Sequence, residues 1–549
     1  MALKIVLGLL SLSVPTLVEG SNWYASTPIS QLKAKGQSTE KLSKRDANPE
    51  TLYPAHNISV PIDHFQNESL YEPHTNGTFN LRYWFDASYY APGGPVIVLE
   101  SGEDTGDDRL PYLQKGLLHQ LAQATNGIGV VLEHRYYGQS FPTPDLSTKN
   151  LRFLTTDQAL ADTAYFAQNV VFPGLEDQNL TAPNVPYIAY GGSYAGAFVA
   201  FLRVLYPDVY FGAIGSSGVV EAIWDYWQYF QPIIDYGPSE CISNTQRLIN
   251  VVDNILIGRN DTRLTNQLKR AFGLQNVTYN DDFANVLSSY VGAWQGRNWD
   301  PAVDASESFY EYCGNVSAST LQFNATAKQT RNVQWLLKAG GYGNETDSLT
   351  TPMLNLINYI NINDVQPCAA EGQTQDSCFG THNATFYAQD DITQSWRSWP
   401  YQYCTQWGFL QTGSGFPSTE LPLVSRTLTL EYESIICQDA FNITTPPDTD
   451  AINKYGGFNI SYDRLALIDG EQDPWRPATA HSPAANNRTS TTDEPYIQIA
   501  GAVHHWDENG LFPNETTATL PPAPVAAAQS AEVSFVKQWL TEWKAPTRR

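Results

Sequence analysis

The run PYIAYGGSYAGAFVAF, residues 186–201, sets Ser193 among Gly191, Gly192, Ala195 and Gly196. An apolar stretch leads into it, and a helix-compatible apolar pattern leads out. A serine hydroxyl is a poor nucleophile unless a base removes its proton and donors stabilise the oxyanion that forms. A tight strand-to-helix turn projects such a serine, and only small neighbours let strand and helix pass close to it. Ala195 stands where glycine is usual, a departure that one methyl group tolerates. The Tyr194 N–H, at the start of the helix, would face the oxyanion. A second N–H is expected from Gly102-Glu103, in the loop after the apolar run 95–99. The bland alternative for the whole stretch is an ordinary glycine-rich turn.

The base for such a serine is a histidine, and on this kind of scaffold it comes last along the chain. His382, His481, His504 and His505 follow Ser193. His382 lies in a cysteine-containing region and His481 in a polar loop near a sequon. His504 and His505 follow the apolar run 496–500 through Gly501-Ala502-Val503, where the base belongs. Spacing does not choose between them, and a surface pair is the alternative. The orienting acid should lie just past the preceding strand. RLALIDGEQDPW, residues 464–475, offers Asp469, Glu471 and Asp473. Asp469 abuts the strand and would serve as a turn cap. Reach beyond the sheet favours Asp473, whose backbone is restricted by Pro474. Glu133, His134 and Arg135 follow another apolar run and read as buried salt-bridge partners rather than catalytic groups.

These side chains need a scaffold that gathers them. Short apolar runs at 95–99, 127–132, 186–190 and 211–215 alternate with helix-compatible segments. One helix is expected to open at Thr155-Thr156-Asp157-Gln158 with a capping box. That alternation implies a mainly parallel sheet covered on both faces. From Val219 the texture changes to long aromatic and amphipathic segments, and all six cysteines lie between there and Cys437. Strand signals return at 464–468 and 496–500. A closing amphipathic helix places Val533, Val536, Leu540 and Trp543 on one face. The expected fold class is α/β: an α/β-hydrolase core with a large, mostly helical, disulfide-bonded cap insertion. The core spans 46–218 and 456–549, and the cap 219–455. Ligands in such sheets bind beyond the carboxyl ends of the strands, under the cap.

The 549 residues suffice for one large domain with an insertion, or two to three ordinary ones. Acidic residues outnumber basic ones, 56 to 32, for a formal charge of −24. Such a surface repels nucleic acid and anionic membrane. Residues 1–20 read as a secretory signal: Lys4, the apolar run 5–17, then a small-residue cleavage site. No later run is long enough to anchor the chain in a membrane. Lys44-Arg45 follows a polar stretch and would release residues 21–45 as a propeptide if cut; the alternative is a solvated charge pair. Sequons occur at Asn57, Asn67, Asn76, Asn179, Asn260, Asn276, Asn315, Asn324, Asn344, Asn383, Asn442, Asn459, Asn487 and Asn514. That density favours a secreted, extracellular glycoprotein, or one of a vacuolar or lysosome-like compartment. Cys241, Cys313, Cys368, Cys378, Cys404 and Cys437 are even in number in an oxidising context, so three disulfides are expected, with all connectivities open on counting alone. No Cys-x-x-Cys, His-Glu-x-x-His or phosphate-binding glycine loop appears, so neither metal nor organic cofactor is expected.

GGSYAG (191–196), EHRYYGQSFP (133–142), LTTDQALAD (154–162), DPW (473–475) and GAVHHWD (501–507) together resemble one family of serine peptidases. It comprises prolyl carboxypeptidase, dipeptidyl peptidase II and the fungal prolyl endopeptidases. TFNLRYWFD (78–86) and VEAIWDYWQYF (220–230) resemble its fungal branch most. The likeness covers nearly the whole chain beyond residue 58. It implies an α/β hydrolase with a helical cap and a Ser-Asp-His triad that cleaves after proline at acidic pH. By motif, it implies Ser193 as nucleophile, Asp473 as acid and His504 as base. It further implies the pairs Cys241–Cys313, Cys368–Cys378 and Cys404–Cys437. SWPYQYCTQ (398–406) ends in Gln406, where relatives carry a glutamate, so no role is borrowed from an acid there. Asn509 stands near the place of an arginine found in prolyl carboxypeptidase.

A pocket for proline should be apolar and aromatic, since that residue is compact, rigid and lacks an N–H. Trp475, two residues from Asp473, is the first candidate wall; Trp399 and Tyr403 from the cap are weaker, with core packing as their alternative. The substrates expected are peptides or proteins. Endopeptidase, carboxypeptidase and dipeptidyl-peptidase modes differ in how the cap closes the cleft, and the sequence leaves all three open. A secreted esterase or lipase would use the same triad. A non-catalytic hydrolase-fold binding protein would need a broken triad, and none is visible.

Overall fold

The computed structural model describes residues 27–35, 49–259 and 261–544. The expected leader at 1–20, the Lys44-Arg45 pair and the sequon at Asn260 lie outside the described residues. Every other sequon asparagine is exposed except Asn315, which is half-buried.

An eight-stranded sheet forms the base of the molecule. Its strands are β1 (His56–Pro61), β2 (Thr78–Asp86), β3 (Val96–Glu100), β4 (Ile128–Leu132), β5 (Tyr187–Gly192), β6 (Gly212–Ser216), β9 (Leu465–Gly470) and β10 (Tyr496–Ile499). They are ordered β1-β2-β4-β3-β5-β6-β9-β10. The six strands from β4 to β10 run parallel, whereas β1 and β2 join antiparallel at one edge. β3 (VIVLE) and β4 (IGVVL) are buried at every position. Continuous apolar runs of this kind suit parallel strands covered on both faces. This is the α/β-hydrolase fold.

The helices follow the chain's own start signals, with two departures. The helix Thr156–Asn169 begins at Thr155, whose hydroxyl accepts from the Gln158 N–H. The expected capping box is only half formed, because the Gln158 side chain turns away to donate to Asp63 and accept from the His64 N–H. The closing helix Ala523–Glu542 is also rotated from expectation. Its buried face carries Val525, Ala528, Glu532, Phe535, Val536 and Trp539. Val533 and Leu540 sit at the margin, and Trp543 falls beyond the last turn.

Between β6 and β9 the chain is mostly helical, with one short parallel pair, β7 (Ile223–Asp225) and β8 (Gly408–Leu410). β7 interrupts the aromatic run after Val219 before the helix Gln231–Tyr236 begins. Disulfides join Cys241 to Cys313, Cys368 to Cys378 and Cys404 to Cys437 within this region. A helix at Ile29–Lys35, inside the stretch expected as a propeptide, docks on it. Ile29 and Leu32 are buried, and the Ser30 hydroxyl donates to the Cys378 carbonyl at 2.6 Å.

Candidate active site

The turn from β5 into the helix Tyr194–Leu205 is as tight as its small residues allow. Ser193 has φ 60° and ψ −124°, a conformation that L residues rarely adopt. A Cβ on Gly191 would come within 2.4 Å of the Ala195 carbonyl, and one on Gly196 within 2.5 Å of the Ser216 carbonyl. The Ser193 N–H donates to that same Ser216 carbonyl at 2.9 Å, pinning the turn to the end of β6. The strain therefore has a structural counterweight, and the hydroxyl is left to project.

It projects onto His504. Ser193 Oγ lies 2.8 Å from His504 Nε2, and His504 Nδ1 lies 2.8 Å from Asp473 Oδ2. Asp473 is fully buried in the loop after β9 and also accepts from the Trp475 N–H at 2.9 Å. Burial pushes the Asp473 carboxyl up, but the His504 ring, the Trp475 N–H and the Ser217 hydroxyl together hold it below the usual carboxylate range. Burial also depresses His504; Asp473 opposes this, while the neighbouring His505 adds to it. The ring is thus kept neutral and able to accept a proton, with its tautomer fixed by the carboxylate behind it.

The competing residues are each engaged elsewhere. Asp469 meets His481 Nδ1 at 2.5 Å, and Glu471 accepts from the Gly501 N–H at 2.9 Å. His505 stacks beside His504, ring centroids 4.4 Å apart, but turns its Nδ1 to Glu508 at 2.9 Å. Its N–H donates to the Ser217 hydroxyl. Glu133 grips Arg82 and Asp162 grips Arg135, while His134 meets the Tyr194 hydroxyl at 2.9 Å.

Ser193 opens into a small, partly enclosed pocket that is continuous with solvent. Trp399, Phe409, Trp475 and Val219 give it apolar walls, and Glu103, Tyr194 and Gln295 complete the lining. Trp475 is held flat against Tyr226 at 5.3 Å, and its indole N–H donates to Gln295 at 2.8 Å. Trp399 meets the Tyr194 ring edge-on at 5.5 Å. Tyr403 is not among the lining residues. It is buried one helical turn after Trp399 and meets that ring edge-on, centroids 6.2 Å apart. Glu103 follows Gly102, whose φ of +71° carries the loop over the helix start. Burial pushes its carboxyl up, and the carboxyl engages the Glu103 N–H itself. A substrate would have to displace that contact to use the N–H.

Residues 60–520 match the family model described as serine carboxypeptidase S28. The chain belongs to that family. A "probable extracellular serine carboxypeptidase" of Arthroderma benhamiae is 53% identical over 514 residues, covering 94% of this chain and 72% of its own. The "lysosomal Pro-X carboxypeptidase" of Homo sapiens is 27% identical, covering 88% and 87%. The "serine protease vicPa" of Bipolaris victoriae is 32% identical, covering 79% and 82%. Among solved structures, a proline iminopeptidase of Mycobacterium smegmatis aligns over 89% of this chain and 99% of its own, at 12% identity and a TM-score of 0.33. No helix among the described residues of this S28 chain is long and apolar enough to cross a membrane.

Three lining residues of this S28 site had no legible signal. Val219 lies just past β6, Phe409 takes φ 61° within β8, and Gln295 comes from the short helical turn Val291–Gly296. Only the positive φ at Phe409, following Gly408, hints at a constrained position. Gln406, which replaces the glutamate of relatives, accepts from the Thr156 N–H at 3.2 Å and so caps a core helix. Asn509 accepts from the Tyr112 hydroxyl and, through its carbonyl, from Gln529.

Proposed function

We propose that the protein is a secreted serine carboxypeptidase that hydrolyses the bond after a proline near the carboxyl terminus of acidic-medium peptides. The observation that carries the reading is the continuous Ser193–His504–Asp473 contact chain at the mouth of an aromatic cavity. His504 takes the Ser193 proton as Oγ attacks the prolyl carbonyl, and then returns it to the leaving amine. Asp473 holds the imidazole and stabilises the imidazolium that forms. The Tyr194 N–H receives the oxyanion, with the Glu103 N–H as second donor once substrate displaces its carboxyl. Water then releases the acyl group by the same route in reverse.

Trp399, Trp475, Phe409 and Val219 support the preference for proline, because a rigid ring without an N–H leaves no donor unpaired against apolar walls. The carboxypeptidase mode is favoured by the names of the relatives, one extracellular and one described as acting on Pro-X. The depressed base His504 supports activity in acid. Secretion rests on the leader, the sequons exposed on the surface and the disulfides.

The test is cleavage of proline peptides at acidic pH with each terminus free or blocked. Release of the residue after proline only where the carboxylate is free supports the reading. Cutting of doubly blocked peptides, or only near a free amine, replaces it with an endopeptidase or a dipeptidyl peptidase. Turnover of short acyl esters with no preference for proline peptides would return the protein to the esterases.

A further inference from the structure

The cap holds a second cluster of chemistry-bearing side chains, remote from Ser193 in the sequence and unused by the mechanism. Asp281 and Asp282 open the helix Asn280–Ser288, and His382 lies in the loop after Gly380. Each offers one donor atom, and the three atoms lie within 4.8 Å of one another. The His382 ring is fixed by stacking on Tyr279, 3.6 Å between centroids and 14° from parallel.

Asp282 is the informative member. It is 1% exposed. Its Oδ1 accepts three bonds, from the Thr381 N–H at 3.1 Å, the Thr381 hydroxyl at 2.9 Å and the Tyr432 hydroxyl at 3.0 Å. Its Oδ2 is buried and has no hydrogen-bond partner among the described residues. A buried carboxylate oxygen without a donor is costly, and a cation is one way to satisfy it. The nearby Lys269 ammonium does not fill this role, since it donates to the carbonyls of Val277, Thr278 and Tyr279.

The spacing lies at the long end of hydrogen-bonding reach and also fits two ligands of one ion. His382 Nε2 stands 3.3 Å from Asp281 Oδ1, whereas the other five histidine–carboxylate pairs among the described residues stand at 2.5–2.9 Å. Two ligands about 2.0–2.1 Å from a tetrahedral ion are themselves about 3.3 Å apart. One imidazole nitrogen and two carboxylate oxygens suit a first-row divalent ion with water as fourth ligand. They are too few, and one is of the wrong kind, for calcium.

We propose that Asp281, Asp282 and His382 bind a divalent transition ion, zinc being the best match. The ion clasps the helix Asn280–Ser288 to the loop that follows the Cys368–Cys378 disulfide. No sequence pattern announces the site, because His382 lies far along the chain from the two aspartates.

The experiment uses the full purified protein, stripped with chelator and dialysed at pH 7, where an ordinary imidazole is mostly neutral. Zinc chloride is titrated by calorimetry, bound metal is counted by mass spectrometry, and the melting temperature is followed. One zinc per chain with a raised Tm, and no comparable response to calcium, is expected. His382→Gln, at a half-buried position, should weaken zinc at least ~10-fold. Asp282→Asn should do the same, but that residue also holds Thr381 and Tyr432, so the histidine variant decides. Absence of stoichiometric zinc, or unchanged affinity and stoichiometry in His382→Gln, would overturn the proposal.

Discussion

The Ser216 hydroxyl donates to Asp507 Oδ1 at 2.5 Å. Through its carbonyl the same residue receives the Ser193 N–H. One residue at the end of β6 therefore ties the Ser193 turn to the loop that carries His504. Asp507 is tied in again from behind, its carbonyl accepting from Gln529 on the closing helix at 2.7 Å. Ser193 and His504 are held by one strand end, and this is what lets two contacts of 2.8 Å persist across three distant segments.

Asp473→Asn tests the orienting role. The amide fills the same space but offers its NH₂ or carbonyl where a carboxylate should fix the tautomer and stabilise the imidazolium. By analogy with other triads, kcat should fall by roughly 10⁴-fold with little change in KM. A loss confined to KM would mean that Asp473 acts in binding alone.

The pH–rate profile should rise below pH 6.5, the ordinary histidine value, because burial and the neighbouring His505 both depress His504. His505 is itself raised: burial opposes its charge, but Glu508 outweighs it. Removing that positive neighbour in His505→Gln should let the His504 pKa rise, moving the ascending limb of kcat/KM to higher pH. A limb that stays put or moves lower contradicts the electrostatic coupling.

Stability should fall as pH rises from mild acid to neutrality. Burial pushes Glu100 up to about 8, Asp364 to about 7 and Asp507 to about 6. The folded state then holds protons that the unfolded chain gives up above about pH 4. That contribution is complete below the unfolded values and is lost as pH climbs through the folded ones. Glu100→Gln should flatten the decline in Tm between about pH 4.5 and 8. Asp473, held low, works in the opposite sense and only at lower pH. A Tm that climbs steadily from pH 4 to 8 would contradict this balance.

The apolar wall should set specificity more than catalysis. Trp475→Leu keeps an apolar surface but removes the plane stacked on Tyr226 and the bond to Gln295. The kcat/KM ratio for proline over alanine before the scissile bond should fall by roughly 10–100-fold. Equal losses on both substrates would assign Trp475 to scaffolding.

The parallel core was legible because buried strands are written as unbroken apolar runs, and β3 to β6 lie within a residue or two of those runs. β1 was not read, since its alternating half-exposed pattern at a sheet edge carries a weak signal. The tight turn at Ser193 was legible from the apolar run before it, the helix pattern after it and its small neighbours, as the contacts around Gly191 and Gly196 show. His504 and His505 were not separable by spacing, because their difference is a turn of the backbone: His505 takes φ 34° and faces Glu508. Tyr403, a weaker wall candidate for which core packing was the alternative, does not line the cavity, and Phe409 and Gln295 line it unforeseen, for one reason. Which face of a cap residue meets a cavity is decided by packing between segments, and no local pattern encodes it.

In the proposed mechanism Ser193 attacks with His504 as its base. The most direct measurement is labelling with a fluorophosphonate, followed by peptide mapping. A single adduct on Ser193, lost in His504→Ala while the fold survives by circular dichroism, is the predicted result. An adduct on another residue, or full peptidase turnover by Ser193→Ala, would contradict it.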